Sequence, residues 1–130
     1  SIMKIQSTQN NFLIQKNNNK VKFSSLKVIH GSVATRGYLF KKIAYISDCK
    51  EIPKTTLDKI KNLDVLLLDC FRLTTHVTHL DLENSLEIIK YLKPKRAILT
   101  NMHVELDYNF IKKKLPKNVV PAYDGLSFNF

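Results

Sequence analysis

The chain has 130 residues, 44% apolar and 25% charged, the composition of one folded domain rather than of a disordered or multi-domain chain. Twenty-one Lys and Arg against 11 Asp and Glu leave a net charge of +10. That charge attracts phosphates, nucleic acid or an anionic surface, but the lysines are scattered in pairs and triplets, with no Arg-rich stripe interleaved with aromatics. No apolar run exceeds four residues and no secretory signal is evident, so neither a membrane span nor export is expected. Two cysteines, Cys49 and Cys70, are too few for a disulfide scaffold, and a reducing, cytoplasmic setting is the expectation.

In chain order, the first 20 residues carry the weakest signal. Gln9-Asn10-Asn11 and Asn17-Asn18-Asn19 bracket Phe12-Leu13-Ile14, which reads as a strand between loops or as part of a hairpin. Alternation at Val21, Phe23 and Ser25, then Leu26-Lys27-Val28-Ile29, predicts a strand up to His30-Gly31. Tyr38-Leu39-Phe40 and Ile43-Ala44-Tyr45-Ile46 flank Lys41-Lys42, a hairpin with a basic tip, and Asp48 follows its second strand. Pro53 starts a helix with Leu57 and Ile60 on one face. The run Val65-Leu66-Leu67-Leu68 predicts a strand buried on both faces. After a loop rich in Thr and His, Asp81 caps a helix whose Leu82, Leu86, Ile89 and Leu92 form one stripe, stopped by Pro94. Arg96–Thr100 is a further strand, Leu106 to Leu115 a last helix, and Val119-Val120 and Leu126–Phe128 two terminal strands. The pattern predicts a single α/β domain over residues 1–130, with helices on at least one face of a sheet.

There is no phosphate-cradling glycine loop, no G-x-S-x-G elbow and no H-E-x-x-H helix. What stands out instead is a set of polar residues placed mostly just after predicted strands: His30, Asp48, Asp69, His76, His79, Asn101 and His103. In sheets covered by helices, sites form at that edge.

From His30-Gly31 through Gly37–Phe40, Ala44–Pro53, Asp64–Asp69, Thr75–His79, Ile98–Thr100 and Tyr123–Leu126, the ordered motifs resemble the second half of metallo-β-lactamase-fold hydrolases. The branch they resemble includes the cyclic phosphodiesterase of the carbon–phosphorus lyase pathway. The resemblance covers about residues 26–130 and implies one sheet-plus-helices half of an αββα sandwich. It implies that His30 is a metal ligand, that Asp48 bridges two metals, and that His79 faces the substrate phosphate and protonates the leaving oxygen. Zinc or manganese is the implied cofactor, with a phosphate-containing substrate, and His76 is a loop residue supporting the site.

Two departures follow. The family's H-x-H-x-D-H string, which supplies four ligands, is absent from these residues. Its T-H-x-S-H string reads Thr100-Asn101-Met102-His103-Val104 here, putting a neutral amide at a ligand position and leaving His103 as a displaced substitute. A catalytic zinc wants three protein ligands, so the chain is expected to be an inactive fragment or remnant of a metal-dependent phosphodiesterase. The alternatives are the C-terminal half of a split, active phosphodiesterase and a basic RNA-binding module. Because only one set of helices is available, the second sheet face is expected to associate, as a homodimer or with a complementary N-terminal half, the alternative being that the N-terminal strands at 12–29 fold over it as a substitute cover. His30 and Asp48 are expected close together at one sheet edge, with His79 on the same cleft.

Overall fold

Strand order explains why the helices share one side of this chain. The computed structural model describes residues 4–7, as backbone, and 10–129; Gln9 of the first expected turn lies outside them. Eight strands form one sheet in sequence order. β1 (Lys4–Ser7), β2 (Asn11–Lys16), β3 (Asn19–His30), β4 (Val33–Phe40) and β5 (Ile43–Ile46) pair antiparallel. β5, β6 (Val65–Asp69), β7 (Arg96–Thr100) and β8 (Val119–Pro121) then pair parallel. The parallel steps are bridged by α1 (Lys54–Leu57), α2 (Leu82–Leu92) and α3 (Tyr108–Lys112). Parallel crossovers are right-handed, and here every one advances in the same direction, so all three helices fall on one face.

That face is the core. Leu26 and Val28, Ala44 and Ile46, Leu66 and Leu68, Ala97 and Leu99 are each no more than 1% exposed and pack with Ile60, Ile89, Leu92 and Ile111. Pairing register puts Phe12, Phe23, Tyr38, Phe40, Tyr45 and Leu67 on the opposite face. There Phe12 stacks on Phe23 with ring centres 5.1 Å apart, and Tyr38 and Tyr45 stay 38% and 43% exposed. Of the apolar strand residues on that side, Val65 and Ile98 are the buried ones among the described residues. No described helix is long and apolar enough to cross a membrane.

Several elements depart from the sequence expectation. The N-terminal region adds β1, and of the two readings of Phe12–Ile14 it takes the hairpin, β2 pairing with β3 beside it in the same sheet. The helix after Pro53 has only four residues; beyond it, Lys59 and Ile60 N–H groups bond three residues back, a tightened turn that still buries Ile60. In α2, Ser85, Ile89 and Leu92 are the buried residues, and Leu82 and Leu86 are half-buried. The reason is Ser85, whose small side chain lets the helix approach β6 and whose hydroxyl reaches the carbonyls of Asp69 (2.8 Å) and Asp81 (2.7 Å). α3 starts later than expected because Asp107 caps it, accepting from Phe110 N–H at 2.7 Å, and it ends at Lys112, beyond which Lys114 N–H bonds three residues back to Ile111 O at 2.8 Å. Leu126–Phe128 is not a strand: a turn at Tyr123–Leu126 redirects the chain, and Phe128 lies under the Arg96 guanidinium.

Candidate functional site

The residues singled out from the sequence sit where β3, β5, β6 and β7 end. Asp48 and Asn101, each just beyond a strand, adopt left-handed backbone (φ 54° and 59°), which turns the chain sharply at the sheet edge. Asp and Asn tolerate that region better than most residues. Gly31, at φ 63°, makes the tight β3–β4 turn beside His30, and a Cβ there would lie 2.8 Å from Thr78 Cγ2. This close approach brings the Thr75–His79 loop down onto His30. Backbone bonds tie the loop in place: Leu80 N–H donates to Cys49 O, and Phe71 N–H to Leu80 O, each at 2.8 Å.

At the centre lies Asp69, 0% exposed. Its Oδ2 accepts from the Cys49 backbone N–H (2.8 Å) and from His79 Nδ1 (2.9 Å), and its Oδ1 from Asn101 Nδ2 (3.0 Å). A buried carboxylate is tolerable only with such donors. Because His79 Nδ1 spends its hydrogen on Asp69, the other ring nitrogen, Nε2, is directed to His30 Nε2 at 3.2 Å. One proton must lie between those two nitrogens for them to bond. Asp48 Oδ1 is 3.1 Å from Asn101 Nδ2 and 3.9 Å from His79 Nδ1. His30, Asp48, His79 and Asn101 are thus brought together, with Asp69 beneath them.

Phe71 organises the remaining histidines. Its ring stacks on His79 at 4.6 Å and meets His76 and His103 edge-on at 4.9 and 5.3 Å. His76 stays in the loop, its Nδ1 facing Thr78 N–H at 3.3 Å. Partial desolvation, then the neighbouring His79, Arg72 and Lys50, hold its pKa below the ordinary imidazole value. His103 is turned to Phe71 and Glu105, so Asn101 and not His103 meets Asp48. Burial, then the Asp69 charge, pushes the Cys49 thiol to about 12; for Cys70, burial does the same. Neither cysteine is a nucleophile in this setting. A cleft of 460 Å³ opens beside Asn101, between Thr100–Met102 and Ala122–Leu126.

Sequence reasoning missed the central place of Asp69 and the role of Phe71. An acidic residue ending a continuous apolar run was a usable sign for the first, because a carboxylate there is forced into the buried layer. Nothing in the sequence marked Phe71.

The residues present do not fit a two-metal centre. Asp48 Oδ1 and Asp69 Oδ1 can only accept, so the Asn101 amide must turn its NH₂ toward them and presents hydrogens where a ligand needs a lone pair. His30 and Asp48 keep donor atoms, but among the described residues no three His, Cys, Asp or Glu side chains are arranged to hold a metal ion.

Comparison with known proteins agrees with this architecture. The family model described as beta-lactamase superfamily domain matches residues 3–102. Among solved structures, a diphosphatase from the PhnP family superimposes with a TM-score of 0.81 and 31% identity over 95% of this chain and 44% of that one. YhfI of Bacillus subtilis, a metallo-beta-lactamase fold protein, gives 0.65 and 18% over 95% and 51%. The short form of human tRNase Z gives 0.62 and 16% over 95% and 48%. The last two show the fold alone. The chain therefore spans about half the length of these solved relatives. It is also 24% identical over 104 residues to the octanoyltransferase of Porphyromonas gingivalis, covering 78% of this chain and 21% of that protein.

Proposed function

This chain belongs to the beta-lactamase superfamily domain family, and on that premise we propose that it is the C-terminal half, or a remnant, of a metal-dependent phosphodiesterase that does not turn over by itself. Its fold is the hydrolase-type half-sandwich, and its substrate class, by likeness to the PhnP-family diphosphatase, is a phosphate ester or anhydride. The observation that carries inactivity is the Asn101 amide donating to both Asp48 and Asp69. His30 and Asp48 keep donor atoms, but with Asn101 turned to donate they do not make up a metal site by themselves. His79 is the proton-handling residue: Asp69 fixes its ring through Nδ1, leaving Nε2 free to hold a proton toward a leaving oxygen once His30 is otherwise engaged.

The open sheet face takes a complementary half of the same kind, sheet against sheet. Support comes from the solved relatives, whose length leaves room for one more unit of this size, and from the aromatic row on that face. Covering it at roughly 25 cal/mol per Å² favours association.

The test is hydrolysis of bis(p-nitrophenyl) phosphate with zinc or manganese added. No turnover above blank is expected from the chain alone. Chelator-sensitive turnover that disappears in His79→Ala overturns the reading. Sedimentation at micromolar concentration addresses the face: association or binding of a hydrophobic dye is expected, and a clean 15.0 kDa monomer that ignores the dye overturns the docking proposal.

A further inference from the structure

We propose that Asn101 is a built-in substitute for a cation, an amide clamp that holds the Asp48 and Asp69 carboxylates together so that the site keeps its geometry with no metal present. It deepens the reading above and rests on residue 101 being a former ligand position.

Two carboxylates converge beside a histidine, Asp69 buried and Asp48 with a side chain 64% exposed; water screens the Asp48 charge in part, and a donor placed between the two lowers their remaining repulsion while satisfying the buried one. In this chain that donor is one NH₂ group. Its nitrogen is 3.1 Å from Asp48 Oδ1 and 3.0 Å from Asp69 Oδ1, one N–H for each. The same nitrogen is 3.2 Å from His79 Nδ1, but that contact sets donor against donor, since the His79 hydrogen goes to Asp69 Oδ2. Both amide hydrogens therefore belong to the carboxylates.

The distances are those of hydrogen bonds and not of coordination. Zinc–carboxylate bonds are about 2.0–2.2 Å, so a cation in the same place would require each oxygen to close by about 1 Å and the amide to leave. Asp48 and Asn101, both with left-handed backbone, follow β5 and β7 at the same edge of the sheet, on either side of β6, whose Asp69 is held by Cys49 N–H. An amide at 101 thus satisfies the buried Asp69 without a cation, whereas an acidic residue there would restore the need for one.

The test uses the full chain, with thermal unfolding followed in EDTA and in excess zinc or manganese, and bound metal counted after dialysis. The wild type is expected to melt at the same temperature in all three solutions and to retain no stoichiometric metal. Asn101→Ala, which strips both donors, is expected to lower the midpoint by about 3–6 °C in EDTA. Asn101→Asp puts a third carboxylate against two others. It is expected to melt lower still in EDTA, or not to fold there, and to regain stability with manganese or zinc. An asparagine that only fills space would leave the melting temperature of every variant indifferent to metal.

The proposal is overturned if the wild type binds one ion per chain and is stabilised by it, with both lost in Asp48→Asn. It is equally overturned if Asn101→Ala is as stable as wild type in EDTA, or if Asn101→Asp shows no response to metal. These readouts are of binding and melting, so they stand or fall separately from the turnover assay.

Discussion

The two faces of the sheet share every strand and differ in almost everything else. On the helix side, alternate residues of β3, β5, β6 and β7 are sealed to within 1% exposure. On the other side β3, β5 and β6 carry Phe23, Tyr45 and Leu67, half-buried or exposed, and β4 adds the exposed Tyr38; Val65 and Ile98 are the buried apolar strand residues there among the described residues. The difference is not one of composition, because Leu66 and Leu67 are neighbours of equal hydrophobicity with opposite fates. It comes from crossover handedness, which assigns every helix to one face and leaves the other to whatever else can cover it. A sheet can therefore be a finished core and an unfinished interface at once.

Substitutions at matched positions should separate the faces most sharply. Leu68→Ala is expected to lower unfolding stability by about 2–5 kcal/mol, because it opens a cavity in a packed layer. Leu67→Ala, one residue earlier, should cost well under half as much in the same urea titration. Equal losses would mean that the open face is already covered.

Next in size comes the site between the faces. Asp69→Asn keeps one acceptor oxygen but puts an NH₂ in place of the other, set either against Cys49 N–H and His79 Nδ1 or against Asn101 Nδ2, groups that themselves donate. About 1–3 kcal/mol should be lost, read as a lower melting temperature. A neutral outcome would mean that the network does not hold the strand ends together.

Alkaline pH probes the sealed side more gently. Cys49 and Cys70 rise from 9.0 to about 12 in the folded chain. The folded state thus keeps a proton that the unfolded chain releases, so the stability these thiols contribute is intact below pH 9 and declines as pH rises toward 12. The matching observation is slow thiol labelling at pH 8 in native buffer and fast labelling in denaturant. Fast native labelling would show the helix side to be open.

The smallest effect concerns the loop over the site. His76 is shifted below the ordinary imidazole pKa of 6.5. The folded state binds that proton less readily than the unfolded chain, so stability falls slightly as pH drops below 6.5. An NMR titration should place its midpoint below that of a free histidine. A midpoint above it would mean that the neighbouring positive groups do not face His76.

Local patterns carried much of this structure. Asp64 to Asp69 and Arg96 to Thr100 were legible because short apolar runs bounded by charges have little choice but to be central strands. The Asp81 cap and the Lys41-Lys42 hairpin tip were legible for similar reasons, as each depends on residues within a few positions. Leu126–Phe128 misled because its apolar spacing matches a strand, whereas the turn at Tyr123–Leu126 redirects it, and Phe128 meets Arg96, some 30 residues away in sequence. Among the site residues, His30, Asp48, His79 and Asn101 were visible as polar residues after strands, and Asp69 was visible but not its centrality.

The sequence by itself determined the order of strands and helices from β3 to β8, the candidate polar residues at the strand ends and the family likeness, because periodicity, caps and motifs are written in near neighbours. Only the tertiary structure decided that Asp69 gathers its donors from Cys49, His79 and Asn101, which lie 20, 10 and 32 residues from it. Those hydrogen bonds depend on three strand ends closing to within about 3 Å. That closure is set by pairing register, helix packing and two left-handed turns acting together, and no local pattern encodes it.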